Sequence, residues 1–214
     1  IRYAGMDGYT LVHQSRGALL GYSTSPILVV DGLAFKDLNR NGSLDVYEDW
    51  RLPAVKRARD LAEQLPIDRL CGLMLYSKAT DADSADLTQR QIDYLTKDYI
   101  RHMLVRAVKD PKTAAQWSNN IQSLCESEPY GIPSNNSTDP RNYTNGKAST
   151  GAYGHEPDGE FDPSGASDIS KWPREVGMAA TFDPALVYAH GEIVSAEYRA
   201  LGITTALSPQ IDLS

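Results

Sequence analysis

After its first thirty residues the chain alternates amphipathic segments with short apolar runs. The segment PAVKRARDLAEQL predicts a helix over residues 53–65, with a proline at its start and one apolar face. That face is formed by Val55, Ala58, Leu61, Ala62 and Leu65. The apolar runs LMLYS (73–77) and HMLVRAV (102–108) predict buried strands, and a polar helix is expected between them over 86–98.

The second half of the chain repeats this alternation. An Asp-Pro pair at 110–111 predicts the start of a helix with apolar residues at helical spacing. Those residues are Ala114, Trp117, Ile121, Leu124 and Cys125. A second Asp-Pro pair at 183–184 predicts another helix, which ends near Gly202. Its expected stripe is Leu186, Ala189, Ile193, Glu197 and Leu201. Strands are predicted over 131–137 and 203–209.

Four strands separated by helices predict an α/β fold with a parallel sheet. By pattern alone, a doubly wound sheet and half of a TIM-type (β/α)8 barrel are both open, because a complete barrel needs eight strands and about 250 residues. A long excursion over 139–170 is rich in Gly, Ser, Asn, Asp and Pro. Excursions of that length are usually functional or disordered.

The sharpest local pattern is DLNRNGSLDVYE, at 37–48, which matches an EF-hand calcium loop at each specified position. The glycine at the sixth position allows the sharp turn that such a loop makes. The remaining positions supply hard oxygen atoms, which Ca²⁺ prefers. The predicted ligands are Asp37, Asn39, Asn41, the Ser43 carbonyl, Asp45 and Glu48. One loop without a second copy predicts a structural calcium site rather than a calcium sensor.

Composition narrows the class of function. The chain has 214 residues, 41% of them apolar, and a formal net charge of -7 without a basic stripe, which argues against nucleic-acid binding. It has no apolar run long enough to span a bilayer. The only cysteines, Cys71 and Cys125, fit a buried free pair at least as well as one disulfide.

Three segments resemble glycoside hydrolase family 3. The opening of many bacterial members is similar to the stretch from FKDLNRNGSLDVYEDW through CGLML. The family's third strand and its carboxylate resemble GIPSNNSTDPRN. The family's run through the fourth strand resembles WPREVGMAATFDPALVYAHGEIVSAEYRALGITTALSPQIDLS. The resemblance implies the first half of a TIM-type (β/α)8 barrel, about four β/α units, with an N-terminal calcium-loop extension. The extension is expected over 1–50 and the barrel half over 51–214.

The resemblance also implies a retaining, exo-acting hydrolase of terminal β-linked sugars, similar to a β-glucosidase. Of the family's site residues it places one in this chain, Asp139, which would accept hydrogen bonds from hydroxyls of the non-reducing-end sugar. Without the resemblance, an Asp before Pro140 is most often a turn residue. Many relatives have His-Gly after this Asp, whereas this chain continues with Pro140-Arg141-Asn142. Arg141 could therefore line the pocket or hold Asp139 in place.

No catalytic residue is expected in this chain, since the family's nucleophile and acid/base would lie beyond Ser214. The chain alone is therefore expected to be inactive, and its expected partners are a β-linked oligosaccharide or glycoside and the C-terminal remainder of the same enzyme. A calcium loop of modest affinity predicts a secreted or periplasmic protein, and the resemblance to bacterial members implies that it is bacterial. Two alternatives stay open: another family 3 specificity, such as β-xylosidase or N-acetyl-β-glucosaminidase, and a non-catalytic calcium- or carbohydrate-binding module.

Overall fold

The computed structural model describes residues 1–6, 8–78, 80–82, 84–108, 110–138, 170, 172–173 and 175–207. The chain divides into two compact units. Unit 1 comprises Ile1–Leu75, Gln89–Arg101 and Ile121–Ser134, and unit 2 comprises Tyr76–Thr88, His102–Asn120 and Asn135–Ser214. The predicted domain boundary after residue 50 stays a prediction. No helix among the described residues is long and apolar enough to cross a membrane.

Unit 1 begins with five strands that the apolar pattern had not predicted. They are β1 (Arg2–Met6), β2 (Tyr9–His13), β3 (Leu20–Tyr22), β4 (Ile27–Val30) and β5 (Leu33–Lys36). Strands β1, β2 and β3 form an antiparallel sheet, and β4 and β5 form a hairpin. The hairpin turns at Asp31 and Gly32, which have φ of 53° and 75°. An Asp-Gly pair favours such a two-residue turn, so the hairpin was predictable from the sequence but was not predicted.

Unit 1 also contains the helices α1 (Ala54–Gln64), α2 (Ile67–Leu73) and α3 (Gln89–Thr96). Helices were predicted at α1 and α3, but not at α2. Helix α1 confirms the predicted helix, but most of its predicted apolar face is wrong. Val55, Ala58 and Ala62 are exposed, Leu61 is half-buried, and only Leu65 is buried. Two hydrogen bonds join the helix to the backbone of Tyr47: Asp60 accepts from Tyr47 N at 3.0 Å, and Arg57 donates to Tyr47 O at 2.9 Å.

The predicted buried strand over 73–77 is wrong. Helix α2 runs to Leu73, Met74 is 85% exposed, and Tyr76 forms only an isolated parallel bridge to His102. A short apolar run does not distinguish a strand from a helix end by itself. Here the run begins inside helix α2. That helix packs so closely on the backbone at Asp98 that a Cβ at Gly72 would lie 2.5 Å from the Asp98 carbonyl oxygen.

Unit 2 contains a four-stranded parallel sheet in sequence order. Its strands are β6 (Thr80–Ala82), β7 (His102–Val108), β8 (Asn135–Thr138) and β9 (Thr205–Ala206). Strand β7 matches its prediction, β8 begins later than the predicted 131–137, and β9 is shorter than the predicted 203–209. The predicted mixed α/β fold is confirmed.

Helices α4 (Pro111–Ser127), α5 (Glu175–Ala179) and α6 (Pro184–Ala200) lie between the later strands in the chain. The predicted stripe of α4 is largely confirmed, with Ala114, Trp117, Ile121 and Cys125 at most 2% exposed. Helix α6 begins as predicted, with Asp183 accepting from the N–H groups of Ala185 and Leu186 at 3.0 and 3.3 Å. Its predicted inward residue Ile193 is 39% exposed.

Both cysteines are free, and only one of them is buried. Cys125 is fully buried on α4, whereas Cys71 is exposed on α2, so the predicted buried pair is wrong for Cys71. Burial raises the pKa of the Cys125 thiol to about 11, although the guanidinium of Arg101 opposes this shift. A thiol held protonated in this way is a poor nucleophile.

Candidate functional site

The predicted calcium loop begins where β5 ends. Asp37, its first residue, is 3% exposed, and its N–H donates to the carbonyl of Pro26 at 2.9 Å. The Asp37 carboxylate accepts hydrogen bonds from Asn41 N at 3.1 Å and Gly42 N at 2.9 Å. Gly42 has φ of 78°, which glycine adopts without steric cost, so the predicted sharp turn at the sixth position is present.

The side chains at the third, fifth and ninth loop positions converge. Asp45 Oδ2 accepts a hydrogen bond from the Asn39 amide at 2.6 Å and from the Asn41 amide at 2.7 Å. The two amide oxygens accept backbone N–H groups, from Asn41 at 3.1 Å and from Ser43 at 2.7 Å. The side chains of Asn39, Asn41 and Asp45 thus meet through hydrogen bonds within the loop, and their role as ligands stays a prediction.

Glu48, the twelfth residue, closes the loop through both oxygens. It is 4% exposed and accepts N–H groups from Leu38 at 2.6 Å, Asn39 at 3.3 Å and Asp45 at 3.1 Å. Burial raises the pKa of Glu48 above its ordinary value, and these N–H groups oppose the rise without cancelling it. Burying a carboxylate without a cation is costly, so a positive charge at this place would stabilise the loop.

Tyr47 lies beside these carboxylates. Its hydroxyl is buried and has no hydrogen-bond partner of acceptable geometry among the described residues, although Glu48 is close enough to affect it. Burial raises the pKa of Tyr47, and the charges of Glu48, Asp45 and Asp37 raise it further. The phenol therefore stays protonated and adds no negative charge to the loop.

The donor set determines which ion would fit. Within the described part of the chain, no three Asp, Glu, His or Cys side chains form a group that would hold a metal by themselves. An ion here would also need amide and carbonyl oxygens, which Ca²⁺ accepts and softer metals do not prefer. The chemistry of the predicted ligands fits calcium, and the site itself stays a prediction.

Sequence reasoning missed a second buried carboxylate, Glu126 near the end of α4. Its Oε2 accepts Ser23 N at 2.6 Å, Ser23 Oγ at 2.7 Å and Thr24 N at 2.8 Å, and its Oε1 pairs with Lys36 Nζ at 2.7 Å. Burial alone would raise its pKa, but Lys36 and the N–H groups of Thr24 and Ser23 together lower the pKa to about 2. No local pattern could have revealed partners about a hundred residues away.

Strand β8 is polar and buried, which explains its unusual sequence. Asn136 is fully buried and donates to Ser118 Oγ at 3.2 Å and to Gly202 O at 3.3 Å. Thr138 Oγ1 donates to Val105 O at 2.8 Å. Each of these side chains has a partner, so burial of the polar strand does not leave it unsatisfied. The predicted sugar-binding residues Asp139 and Arg141 follow this strand and lie outside the described residues.

No family model matches the chain. The chain is 37% identical over 204 residues to a periplasmic β-glucosidase/β-xylosidase of Dickeya chrysanthemi, an alignment that covers 92% of the chain and 29% of that protein. It is 30% identical over 193 residues to β-glucosidase C of Emericella nidulans, covering 86% of the chain and 29% of that protein.

The fold is also similar to a solved structure. A glycoside hydrolase family 3 β-N-acetylglucosaminidase from Paenibacillus sp. str. FPU-7 matches with a TM-score of 0.52 and 18% identity, over 69% of this chain and 24% of that one. The chain spans 29% of the length of the two curated relatives described above. These findings confirm the resemblance drawn from the three segments: the chain is similar over most of its length to curated β-glucosidases, and it shares the fold of a glycoside hydrolase family 3 enzyme.

Proposed function

We propose that this chain is part of an enzyme that hydrolyses terminal, non-reducing β-linked sugars, acting from the chain end with retention of configuration. The observation that carries the proposal is the 37% identity to a β-glucosidase/β-xylosidase over 92% of the chain. Retention requires two carboxyl groups about 5–5.5 Å apart, one as nucleophile and one as acid/base. We assign neither role within residues 1–214, so this chain alone is expected not to hydrolyse a glycoside.

The sheet of unit 2 supports a barrel rather than a doubly wound arrangement. Its strands follow one another in the order β6-β7-β8-β9, all parallel, without the reversal of order that defines a doubly wound sheet. In (β/α)8 barrels the active site is built at the carboxyl ends of the strands. The sequential order favours about four β/α units of such a barrel, completed by the C-terminal remainder of the same enzyme.

Asp139 is proposed to bind the sugar at the non-reducing end. In the sequence it directly follows Thr138, the last described residue of the parallel strand β8. A carboxylate accepts hydrogen bonds at two oxygens, which fixes the orientation of a sugar ring. Arg141 is proposed either to line the same pocket or to hold Asp139 in place.

Replacing Asp139 in the complete polypeptide tests this function. A charge-assisted hydrogen bond contributes roughly 1.5–3 kcal/mol, so Asp139→Ala should lower kcat/KM for an aryl β-glucoside by about tenfold to a hundredfold or more. Asp139→Asn should lose less, because the amide keeps one acceptor. Asp98→Ala removes an exposed carboxylate elsewhere and serves as the control. A lower melting temperature with unchanged kinetics would instead show that Asp139 is a turn residue.

The substrate is proposed to be a β-glucoside, with β-xylosides and N-acetyl-β-glucosaminides as the competing specificities. The Dickeya relative is named for both β-glucosidase and β-xylosidase activity, and the Paenibacillus structure is of a β-N-acetylglucosaminidase. Comparing kcat/KM on the three aryl glycosides separates them, since specificity is the ratio of these constants. Absence of turnover on all three by the complete polypeptide would favour a non-catalytic carbohydrate-binding module.

The loop at 37–48 is proposed to hold one structural Ca²⁺, with ligands from Asp37, Asn39, Asn41, the Ser43 carbonyl, Asp45 and Glu48. Two of the carboxylates, Asp37 and Glu48, are almost fully buried, and burial of negative charge favours a bound cation. The ion would supply charge compensation and not bond cleavage. A secreted or periplasmic location is proposed as well, in keeping with the name of the Dickeya relative.

A further inference from the structure

The connection that follows helix α4 has a backbone conformation that needs support. A 3₁₀ turn, Pro129–Gly131, contains Tyr130 at φ 70° and Gly131 at φ 53°. A residue with a Cβ rarely adopts this left-handed conformation and keeps it only where its surroundings hold it there. The position of this connection therefore depends on the groups that touch it.

The later half of the connection is held by side chains outside the calcium loop. Arg101 is 3% exposed, and its Nε donates to the carbonyl of Ile132 at 2.9 Å. The Gln122 amide makes two bonds to Ser134, accepting its N–H at 3.0 Å and donating to its carbonyl at 2.8 Å. None of these contacts involves the loop at 37–48.

The earlier half is contacted both by the loop at 37–48 and by groups outside it, since the Tyr130 hydroxyl donates to the carbonyl of Gln64 at 3.1 Å and Arg69 pairs with Glu128 at 3.8 Å. Leu38 packs so closely on Gly131 that a Cβ built there would lie 2.7 Å from Leu38 Cδ2. Arg40, at φ 58°, donates from Nη1 to the carbonyl of Ser127 at 3.1 Å and from Nη2 to the carbonyl of Glu126 at 3.4 Å. The loop thus touches the segment 127–131 at both of its ends, at Ser127 and at Gly131.

The two contacting residues alternate with the proposed ligands. Leu38 lies between Asp37 and Asn39, and Arg40 lies between Asn39 and Asn41. Ordering three oxygen ligands on one ion also orders the backbone that carries the residues between them. We propose that an ion bound in the loop positions the connection from Ser127 to Gly131 through Leu38 and Arg40, an inference that rests on the proposed calcium site.

Hydrogen exchange and calorimetry on the whole chain test this coupling. Titration with Ca²⁺ should produce a binding isotherm, and saturating Ca²⁺ should slow amide exchange in 127–131 by about fivefold or more, the lower end of typical couplings between sites. Residues 132–134 should respond less, because Arg101 and Gln122 already hold them. Helix α6 provides an internal reference that should not change.

Arg40→Ala and Leu38→Ala separate metal binding from its consequence. Neither side chain is a proposed ligand, so each variant should keep the Kd for Ca²⁺ within about twofold of the parent value while the slowing in 127–131 is lost. Arg59→Ala, which removes an exposed arginine from the neighbouring helix α1, is the matched control and should retain the slowing. Two substitutions keep the test decisive should one of them unfold the chain.

The outcomes separate the inference from what it rests on. If calorimetry detects Ca²⁺ binding but amide exchange in 127–131 does not change, the coupling alone is overturned. The same holds if Ca²⁺ slows this exchange fully in both Arg40→Ala and Leu38→Ala. An absence of calcium heat overturns the calcium site and the coupling with it. Glycosidase activity is measured separately on the complete polypeptide, so none of these results is confused with a failure of the proposed hydrolysis.

Discussion

The calcium loop and strand β8 are both made of polar residues, but their hydrogen bonds span very different distances along the chain. Within the loop, Asn39 and Asn41 meet Asp45, and the longest of the bonds joins Leu38 N to Glu48, ten positions away. In strand β8, Asn136 reaches Gly202, 66 positions away. The hydrogen-bond partners of a polar residue can thus be predicted from sequence when they are near along the chain, but hardly when they are distant.

This difference predicts which substitutions cost most. A residue in the loop shares its partners with several neighbours, so the loop can rearrange when one is lost. A fully buried residue of β8 has partners fixed by other elements, and removal leaves those partners without replacement. Unsatisfied buried groups cost more than a hydrogen bond contributes when it is made.

The largest effect is expected for Asn136→Ala. The change opens a cavity at a fully buried position and removes donors to Ser118 Oγ and Gly202 O, so the chain should lose about 4 kcal/mol of stability. Thermal melting of the chain measures the loss. Asn135→Ala is the neighbouring control, since the Asn135 amide oxygen bonds to the exposed hydroxyls of Thr204 and Thr205. Equal losses in both variants would contradict the importance of burial.

Glu126 should produce the next largest effect, because its partners are also distant in sequence. Its pKa falls from 4.5 to about 2 on folding, so its contribution to stability is complete above pH 4.5 and disappears as the pH falls towards 2. The shift corresponds to about 3 kcal/mol. Glu126→Gln should therefore be less stable than the parent at neutral pH and should approach it near pH 2.

The pH series needs a control, since other carboxylates titrate in the same range. Glu63→Gln removes an exposed carboxylate from helix α1 and should follow the parent at every pH. The difference in melting temperature between parent and Glu126→Gln isolates the one group. A difference that stays constant from pH 7 to about pH 2 would show that the ionised form is not what the folded state stabilises.

The same distinction explains how much could be predicted from sequence. Spacing identified helices α1, α4 and α6, strand β7 and the sharp turn at Gly42, all of which depend on local periodicity or local contacts. It failed at Met74, where an apolar run follows a helix instead of forming a buried strand. It also failed to reveal Glu126, whose partners Lys36, Thr24 and Ser23 lie 90, 102 and 103 positions away.

Calcium removal should affect the loop less than these substitutions affect the core. Binding restricted to the folded state stabilises it by about 2.7 kcal/mol at a hundredfold excess over Kd. A chelator should therefore lower the melting temperature of the chain, and added Ca²⁺ should restore it. Asp45→Ala, which removes one proposed ligand, should reduce the response. A melting curve that is the same with and without chelator would contradict the proposed ion.

The smallest effect is expected at Asp183, where a sequence-readable local contact lies in unit 2. Asp183 caps helix α6 by accepting from Ala185 N and Leu186 N, and loss of such a cap costs about 1 kcal/mol. For a chain of this size, Asp183→Ala should lower the melting temperature by about 2–4 °C. Asp183→Asn retains an accepting oxygen and should lose much less, although it gives up the favourable negative charge at the helix start. Asp183 is exposed and its partners lie two and three positions away, whereas Asn136 is fully buried and reaches Gly202, 66 positions away. Should Asp183→Ala cost as much as Asn136→Ala, then neither burial nor contact range along the chain would be what separates tolerant from intolerant polar residues.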